Sequence, residues 1–188
     1  MNANTTYQFD NDWFSSRIPN FESILVSKFN FCEFHGLEIG VNEGRCSFWF
    51  AENLLKYHPK STLDVVDVEF RPNFWKNHEI CPHREQIIPH ETYSYIFLKE
   101  CRKLFDFIYL DGNHCSSNTV EDAVMAWRLL KKGGILAFDD YTWEVEMWDG
   151  TRPKEGIDAF LQAYEGKYEI LIKKHQVWIQ KTTEEKMI

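Results

Sequence analysis

The chain of 188 residues lacks several features that would place it in other classes of protein. No run approaches the roughly 20 apolar residues that a membrane-spanning helix needs. The N-terminus, MNANTTYQFDND, has neither the basic start nor the apolar stretch of a signal peptide. Internal repeats, low-complexity tracts and long linkers are absent. A domain of this length buries about 70 % of its unfolded surface, so we expect one domain over 1–188 and no membrane partner.

Cysteine pairs and basic clusters are also scarce. The cysteines are odd in number and show no Cys-x-x-Cys spacing: Cys32, Cys46, Cys81, Cys101 and Cys115. Together with the missing signal peptide, this favours reduced thiols and a cytoplasmic location. The net charge of −8 is spread along the chain, whereas a nucleic-acid-binding face requires clustered Lys and Arg. We therefore expect a small-molecule partner or a metal ion and no nucleic acid.

What is present is an alternation of strands and helices. After an N-terminal extension over 1–35, with a helix near 20–29, strands are predicted at 36–40, 62–68, 85–88, 105–111 and 135–140. Predicted helices lie at 44–57, 92–103, 117–131 and 154–165. The last two strands, 168–174 and 176–181, are too close together for a helical crossover and should pair antiparallel. This pattern predicts an α/β fold with a doubly wound sheet covered on both faces.

Ligands of such sheets bind at the carboxyl ends of the strands, where this chain has a glycine motif. The first strand ends in LEIGVNEG, which carries Glu38, Gly40 and Gly44. Glycines here permit a tight turn and let a ligand approach backbone N–H groups at a helix start. The alternative is a glycine-bearing turn without a ligand.

Polar residues also follow the second and third strands. Asp67 ends the second strand, where a carboxylate can accept hydrogen bonds from both hydroxyls of a ribose. Glu91 and Thr92 follow the third strand, where they could meet an adenine amino group. The alternative for each is a solvated side chain at a strand end.

The fourth and fifth strands end in acids. FDFIYLDGNH carries Asp111 and His114, and ILAFDD carries Asp139 and Asp140. Three converging carboxylates would repel one another unless a cation lies between them, and oxygen ligands suit Mg²⁺ or Mn²⁺ better than Zn²⁺. Asp139 and Asp140 can share a metal only if the strand ends there, because adjacent strand residues point to opposite faces. Otherwise Asp140 holds a loop.

These motifs, with DWFS at 12–15, RPKEGIDAFL at 152–161 and QVWIQK at 176–181, resemble class I S-adenosylmethionine-dependent methyltransferases, and more narrowly the methyltransferase domain 24 family. The resemblance implies a Rossmann-like mixed sheet of seven strands, with the last strand antiparallel, and S-adenosylmethionine as cofactor. The cofactor residues that it implies are Glu38, Gly40, Val41, Gly44, Asp67, Val68, Glu91, Thr92 and Asp111. By the same resemblance, Asp111, Asp139 and Asp140 hold Mg²⁺ or Mn²⁺, and His114 is the catalytic base beside Asp111.

The expected function is metal-assisted O-methylation of a small hydroxylated substrate, and a homodimer is compatible with the sequence. Two alternatives use the same residues: a metal-dependent hydrolase built on the Asp and His cluster, and a non-catalytic cofactor-binding module. The glycine motif with Asp67 favours methyl transfer over hydrolysis, and the intact acids with His114 favour catalysis over binding alone.

Two further clusters invite interpretation. His78, Cys81 and His83 in NHEICPH resemble zinc ligands, but their spacing is irregular and the segment is expected to be a loop, so we predict no zinc site. Trp143 and Trp148 either cover the acceptor pocket, form a dimer contact or pack in the core.

Overall fold

The computed structural model describes residues 6–30 and 32–184 and contains one mixed sheet. Its strands are β1 (His35–Ile39), β2 (Thr62–Asp67), β3 (Ile87–Glu91), β4 (Phe105–Leu110), β5 (Leu130–Phe138), β6 (Tyr168–Lys173) and β7 (Val177–Lys181). They lie in the order β3-β2-β1-β4-β5-β7-β6, and β7 is antiparallel to both of its neighbours. The predicted seven-stranded fold with an antiparallel last strand is confirmed.

Helices cover both faces of this sheet. They are α3 (Arg45–Asn53), α4 (Pro72–Ile80), α5 (Ser94–Glu100), α6 (Ser116–Leu129) and α7 (Pro153–Ala163). The extension forms a continuous helix, here called the N-terminal helix, from α1 (Ile18–Phe21), a π-helical turn (Glu22–Val26) and α2 (Ser27–Phe29). No helix in the described part of the chain is long and apolar enough to cross a membrane.

The structure differs from the predicted elements in the 72–86 region. The segment before the third strand was expected to be a loop, but Pro72–Ile80 is helical. Pro72 occupies the first helical turn, where proline loses no hydrogen bond, and Phe74 is buried and stacks on Phe70 with ring centroids 4.4 Å apart. The expectation of a loop was wrong because burial of Phe74 stabilises a helix with weak local signals.

The predicted boundary between the helix at 117–131 and the strand at 135–140, with Gly133 and Gly134 between them, was also wrong. Helix α6 ends at Leu129, and β5 already begins at Leu130. Leu130 pairs with Phe105, and the register shifts before Ile135 pairs with Phe107. The glycines therefore lie within an irregular first half of β5 and do not end the helix.

The core has two layers, one on each face of the sheet. Consecutive residues of β4 alternate between them: Phe107 and Tyr109 pack in one layer, and Ile108 and Leu110 pack in the other. This explains the unbroken apolar run of β4, since both sheet faces are buried. The first layer also contains the N-terminal helix through fully buried Phe21.

Candidate functional site

A cavity of about 570 Å³ lies at the carboxyl ends of β1, β4 and β5. The loop after β1 and the ends of β4 and β5 form its floor, and residues 10–17, here called the cap segment, lie on one side. The sheet and its loops contribute Glu38, Gly40, Val41, Asn42, Glu43, Cys46, Tyr109, Asp111, His114, Asp139, Asp140, Trp143 and His175. The position agrees with the rule that parallel α/β sheets bind ligands at strand carboxyl ends.

The loop after β1 requires glycine at Gly40. Its φ is +84°, and a Cβ at this position would lie 2.0 Å from the Asp111 carbonyl oxygen. Because glycine has no side chain, the chain after β1 can pass directly beside the end of β4. The polar residues that follow the two strands therefore reach the same cavity.

Glu38 is buried beside this loop. Ser47 Oγ donates a hydrogen bond of 2.5 Å to Glu38 Oε2. Burial raises the pKa of Glu38 to about 8, against the lowering effect of hydrogen bonds from Ser47 and Cys46. The carboxyl is therefore mostly protonated at neutral pH in the absence of a bound cation.

Asp67 stabilises the same loop from β2. Its Oδ2 accepts hydrogen bonds from the backbone N–H groups of Val41, at 2.8 Å, and Asn42, at 3.0 Å. Thr92 N–H donates to the Asp67 carbonyl oxygen at 2.9 Å. Of the residues predicted to bind cofactor, Gly44, Asp67, Val68, Glu91 and Thr92 do not line the cavity, and their predicted roles remain predictions.

Asp139 and Asp140, here called the acid pair, follow β5. Asp140 has a φ of +55°, an uncommon left-handed conformation for a non-glycine residue. This turn ends the strand alternation, so both carboxylates can face the cavity. The sequence indicated that the two acids could share a cation only if the strand ended there, and β5 does end before them, at Phe138.

The two acids have different partners. Asp139 Oδ1 accepts hydrogen bonds from Asp140 N–H, at 2.7 Å, and Arg17 Nε, at 3.2 Å, while Oδ2 accepts one from the Tyr109 hydroxyl. Asp140 Oδ2 lies 2.9 Å from His114 Nε2, and Oδ1 lies 3.1 Å from His175 Nε2. Both oxygens of Asp139 are thus satisfied by this chain, whereas Asp140 faces two imidazoles.

Asp111 and Asp140 differ in the direction of their pKa shifts. Burial, followed by the like charges of Asp139, Asp140 and Glu38, raises the pKa of Asp111 well above its usual range. Burial would also raise the pKa of Asp140, but the adjacent imidazole of His114, with the charges of His175 and Arg17, lowers it overall. The surroundings thus shift the pKa values of these two neighbouring acids in opposite directions.

His114 lies where these acids meet. Its Nε2 is buried and forms no hydrogen bond of good geometry, although Asp140 Oδ2 is 2.9 Å away and Asp111 Oδ1 is 4.0 Å away. The Trp143 ring stacks on the imidazole with centroids 5.2 Å apart and an angle of 5°. Trp143 also lines the cavity, whereas Trp148 is largely exposed and does not.

The donor atoms fall into two overlapping groups. Oxygen or nitrogen atoms of Asp111, His114 and Asp140 lie within 4.8 Å of one another, and the same holds for Asp139, Asp140 and His175. His78, Cys81 and His83 form no such group among the described residues. His175 was missed from the sequence because it lies in the turn between β6 and β7, and only the sheet order brings that turn to the end of β5.

Arg17 was also missed. It belongs to the cap segment, whose other contacts hold it against the loop after β1. Glu43 Oε2 accepts the Asp10 N–H at 2.8 Å, and Arg45 pairs with Asp12 at 2.9 Å. The DWFS motif at 12–15 was noted in the sequence, but nothing in it indicated a contact with the acid pair.

The sheet order with its antiparallel β7 and the glycine loop after β1 define the fold of class I S-adenosylmethionine-dependent methyltransferases. Residues 37–141 match the family model of a methyltransferase domain, Methyltransf_24. The match covers more than half of the chain, and the chain belongs to this family.

Solved methyltransferases share the fold at low identity. An O-methyltransferase of Bacillus cereus in complex with SAH has a TM-score of 0.69 and 17 % identity, over 92 % of this chain and 84 % of that one. TomG, an O-methyltransferase of Streptomyces achromogenes in complex with SAM, has a TM-score of 0.66 and 15 % identity, over 88 % of this chain and 80 % of that one. The methyltransferase MycE, from the mycinamycin biosynthetic pathway, was solved in complex with Mg, SAH and mycinamycin VI. It has a TM-score of 0.67 and 14 % identity, over 93 % of this chain and 51 % of that one. No curated protein matches the chain.

Proposed function

We propose that this protein is an S-adenosylmethionine-dependent O-methyltransferase that acts on a small hydroxylated acceptor with the help of Mg²⁺ or Mn²⁺. The observation that carries the proposal is the shared cavity, which is lined by the glycine loop on one side and by Asp111, His114 and Asp140 on the other. A methyl donor on the loop and a hydroxyl beside the acids would then meet. Family membership and the SAM, SAH and Mg of the related structures support it.

The loop after β1 fits a cationic cofactor. The backbone of Gly40 and Val41 lines the cavity, and Glu38 places a carboxyl beside it. When bound, S-adenosylmethionine would supply a methyl group on a positively charged sulfur. Gly40 and Val41 would hold it, and it would supply an electrophilic methyl carbon to the acceptor oxygen, with neutral sulfur as the leaving group. In this role Glu38 compensates the cofactor charge, and Asp67 keeps the loop in place.

The donor set also fits a hard divalent cation. Asp111 and Asp140 would hold it, because both oxygens of Asp139 already accept hydrogen bonds from this chain. Nε2 of His114, 2.9 Å from Asp140 Oδ2 and 4.0 Å from Asp111 Oδ1, lies beside them. When bound, the ion would supply positive charge that makes the acceptor hydroxyl more acidic. Asp139 then acts by orienting Tyr109 and Arg17.

His114 is the proposed base. Its Nε2 takes the hydroxyl proton, and Asp140 Oδ2 at 2.9 Å stabilises the imidazolium that results. Stacking on Trp143 fixes the plane of the ring. A positioned base typically accelerates proton transfer about 10²–10⁴-fold, and alignment of two bound reactants adds to it.

Two measurements test the proposal. The first is calorimetric titration with S-adenosylmethionine. The second follows the transfer of labelled methyl groups to a panel of small catechols, phenols and sugars, with Mg²⁺ or with a chelator. We expect micromolar cofactor binding, roughly −8 kcal/mol, and transfer that is lost in chelator. Absence of cofactor binding would contradict methyl transfer altogether. Full transfer in chelator would contradict only the metal.

A further inference from the structure

The acid pair already has a cation, and the chain supplies it. Arg17 Nε lies 3.2 Å from Asp139 Oδ1 and 3.5 Å from Oδ2, and Arg17 Nη2 lies 3.8 Å from Asp140 Oδ1. The Arg17 side chain is about one fifth exposed and that of Asp139 is 6 % exposed. A contact this sheltered from water is screened far less than a surface ion pair.

The guanidinium also occupies the second donor group described above. Arg17 Nη2 contacts His175 Nε2, which itself lies 3.1 Å from Asp140 Oδ1 and 3.7 Å from Asp139 Oδ1. His175 Nδ1 is 2.6 Å from Thr142 Oγ1, which fixes the ring. The three side chains that could surround a cation at this position are therefore all turned toward Arg17.

The two donor groups share Asp140, so their occupants influence one another. A divalent ion between Asp111 and Asp140 would lie close to the fixed positive charge of Arg17, and like charges at such distances repel strongly in a partly buried site. Arginine cannot relieve this repulsion by losing its proton, because a guanidinium stays charged throughout the ordinary pH range. Movement of the cap segment, which carries Arg17, can withdraw this charge from the acids.

We propose that Arg17 is the built-in counter-ion of the acid pair and that it lowers the affinity of the neighbouring Asp111 and Asp140 for a divalent ion. The N-terminal segment then sets the metal affinity of the site. The inference rests on the proposed function only for the position of the metal.

Titration with Mn²⁺ alone, without cofactor or acceptor, tests this coupling. Arg17→Met is expected to bind Mn²⁺ between about 5-fold and 150-fold more tightly than the wild type, the usual range for coupled sites. Arg17→Lys keeps the charge and should stay closer to the wild-type affinity. Arg45→Met is the matched control. Arg45 also lines the cavity and contacts the cap segment through Asp12, but its ion pair is with Asp12 and not with Asp139 or Asp140.

Equal or weaker Mn²⁺ binding by Arg17→Met would overturn the inference, and so would an equal gain in Arg45→Met or no detectable binding by any variant. S-adenosylmethionine affinity is measured on the same samples. Loss of that affinity throughout contradicts the proposed function, whereas an unchanged Mn²⁺ affinity with normal cofactor binding contradicts only the role of Arg17.

A second measurement needs no variant and covers the case in which Arg17→Met fails to fold. Coupling is reciprocal, so saturating Mn²⁺ should weaken the hold of the acid pair on Arg17. Amide hydrogen exchange of the wild type is expected to accelerate over residues 10–17, including Ser15 and Arg17, whose N–H groups bond to Asp12 and Phe14. Exchange that is unchanged or slowed in this segment would overturn the inference.

Discussion

At the scale of single residues, His114 separates catalysis from binding. Its imidazole contacts Asp140 and Trp143, which lie on the side of the cavity proposed for the acceptor. His114→Ala is therefore expected to lower turnover about 10²–10⁴-fold and to leave S-adenosylmethionine affinity nearly unchanged, as measured by rates and calorimetry on one preparation. His78→Ala, outside the cavity, is the control. Parallel loss of affinity and turnover would instead make His114 a cofactor or structural contact.

We expect Glu38 to release a proton when the cofactor binds. Burial raises its pKa to about 8 in the free protein, so it is mostly neutral at pH 7, and a nearby sulfonium would favour its charged form. Calorimetry in buffers of different ionisation enthalpy should show net proton release at pH 7. Glu38→Gln should abolish that release, and Glu43→Gln should retain it because hydrogen bonds from Asn73 and from backbone N–H groups keep the pKa of Glu43 low. A wild type that binds cofactor without releasing protons would exclude this role.

At the scale of elements, helix α6 carries a buried acid that opposes folding. Burial raises the pKa of Asp122 from 3.8 to about 6, although a hydrogen bond from Ser94 acts in the opposite direction. Because the folded state holds this proton more tightly, the contribution of Asp122 to stability is most favourable below pH 4 and falls as the pH rises through 6.

Asp122→Asn removes this dependence. The variant should be more stable than the wild type at pH 7.5 by up to about 3 kcal/mol, at 1.36 kcal/mol per pKa unit, and about equal to it at pH 4. Urea unfolding at the two pH values measures the difference, with Glu79→Gln, an exposed acid on α4, as control. A constant difference between Asp122→Asn and wild type at both pH values would show that the variant acts through packing alone.

Some helices and strands can be predicted from local sequence patterns alone, and others cannot. Strand β4 and helices α6 and α7 were predicted within a few residues, because long apolar runs and helical spacing reflect burial directly. Helix α4 was missed because the core that buries Phe74 comes from distant parts of the chain, notably Phe48, with ring centroids 5.7 Å apart. Its local propensity was overridden by tertiary packing.

At the scale of the whole molecule, the N-terminal helix is part of the core. Phe21 is fully buried and makes edge-to-face contacts with Tyr109 at 5.3 Å and Trp178 at 4.8 Å. Phe21→Ala should lower the free energy of unfolding by about 3–5 kcal/mol, as measured by urea unfolding. Phe29→Ala, at a less buried position of the same helix, should cost less. A loss below about 1 kcal/mol for Phe21→Ala would mean that the extension folds independently of the sheet.

The sequence by itself determined the alternation of strands and helices, the mixed sheet and the strand ends at which Glu38, Asp111, His114 and the acid pair lie. These follow from periodicity and from motifs within a few residues of one another, so they can be read along the chain. Only the tertiary structure decided what surrounds the acids. Arg17 and Asp139 are 122 positions apart in sequence, and His175 reaches Asp140 only because β7 pairs with β5. No local pattern carries such contacts, because they depend on how the cap segment and the last hairpin pack over the end of the sheet.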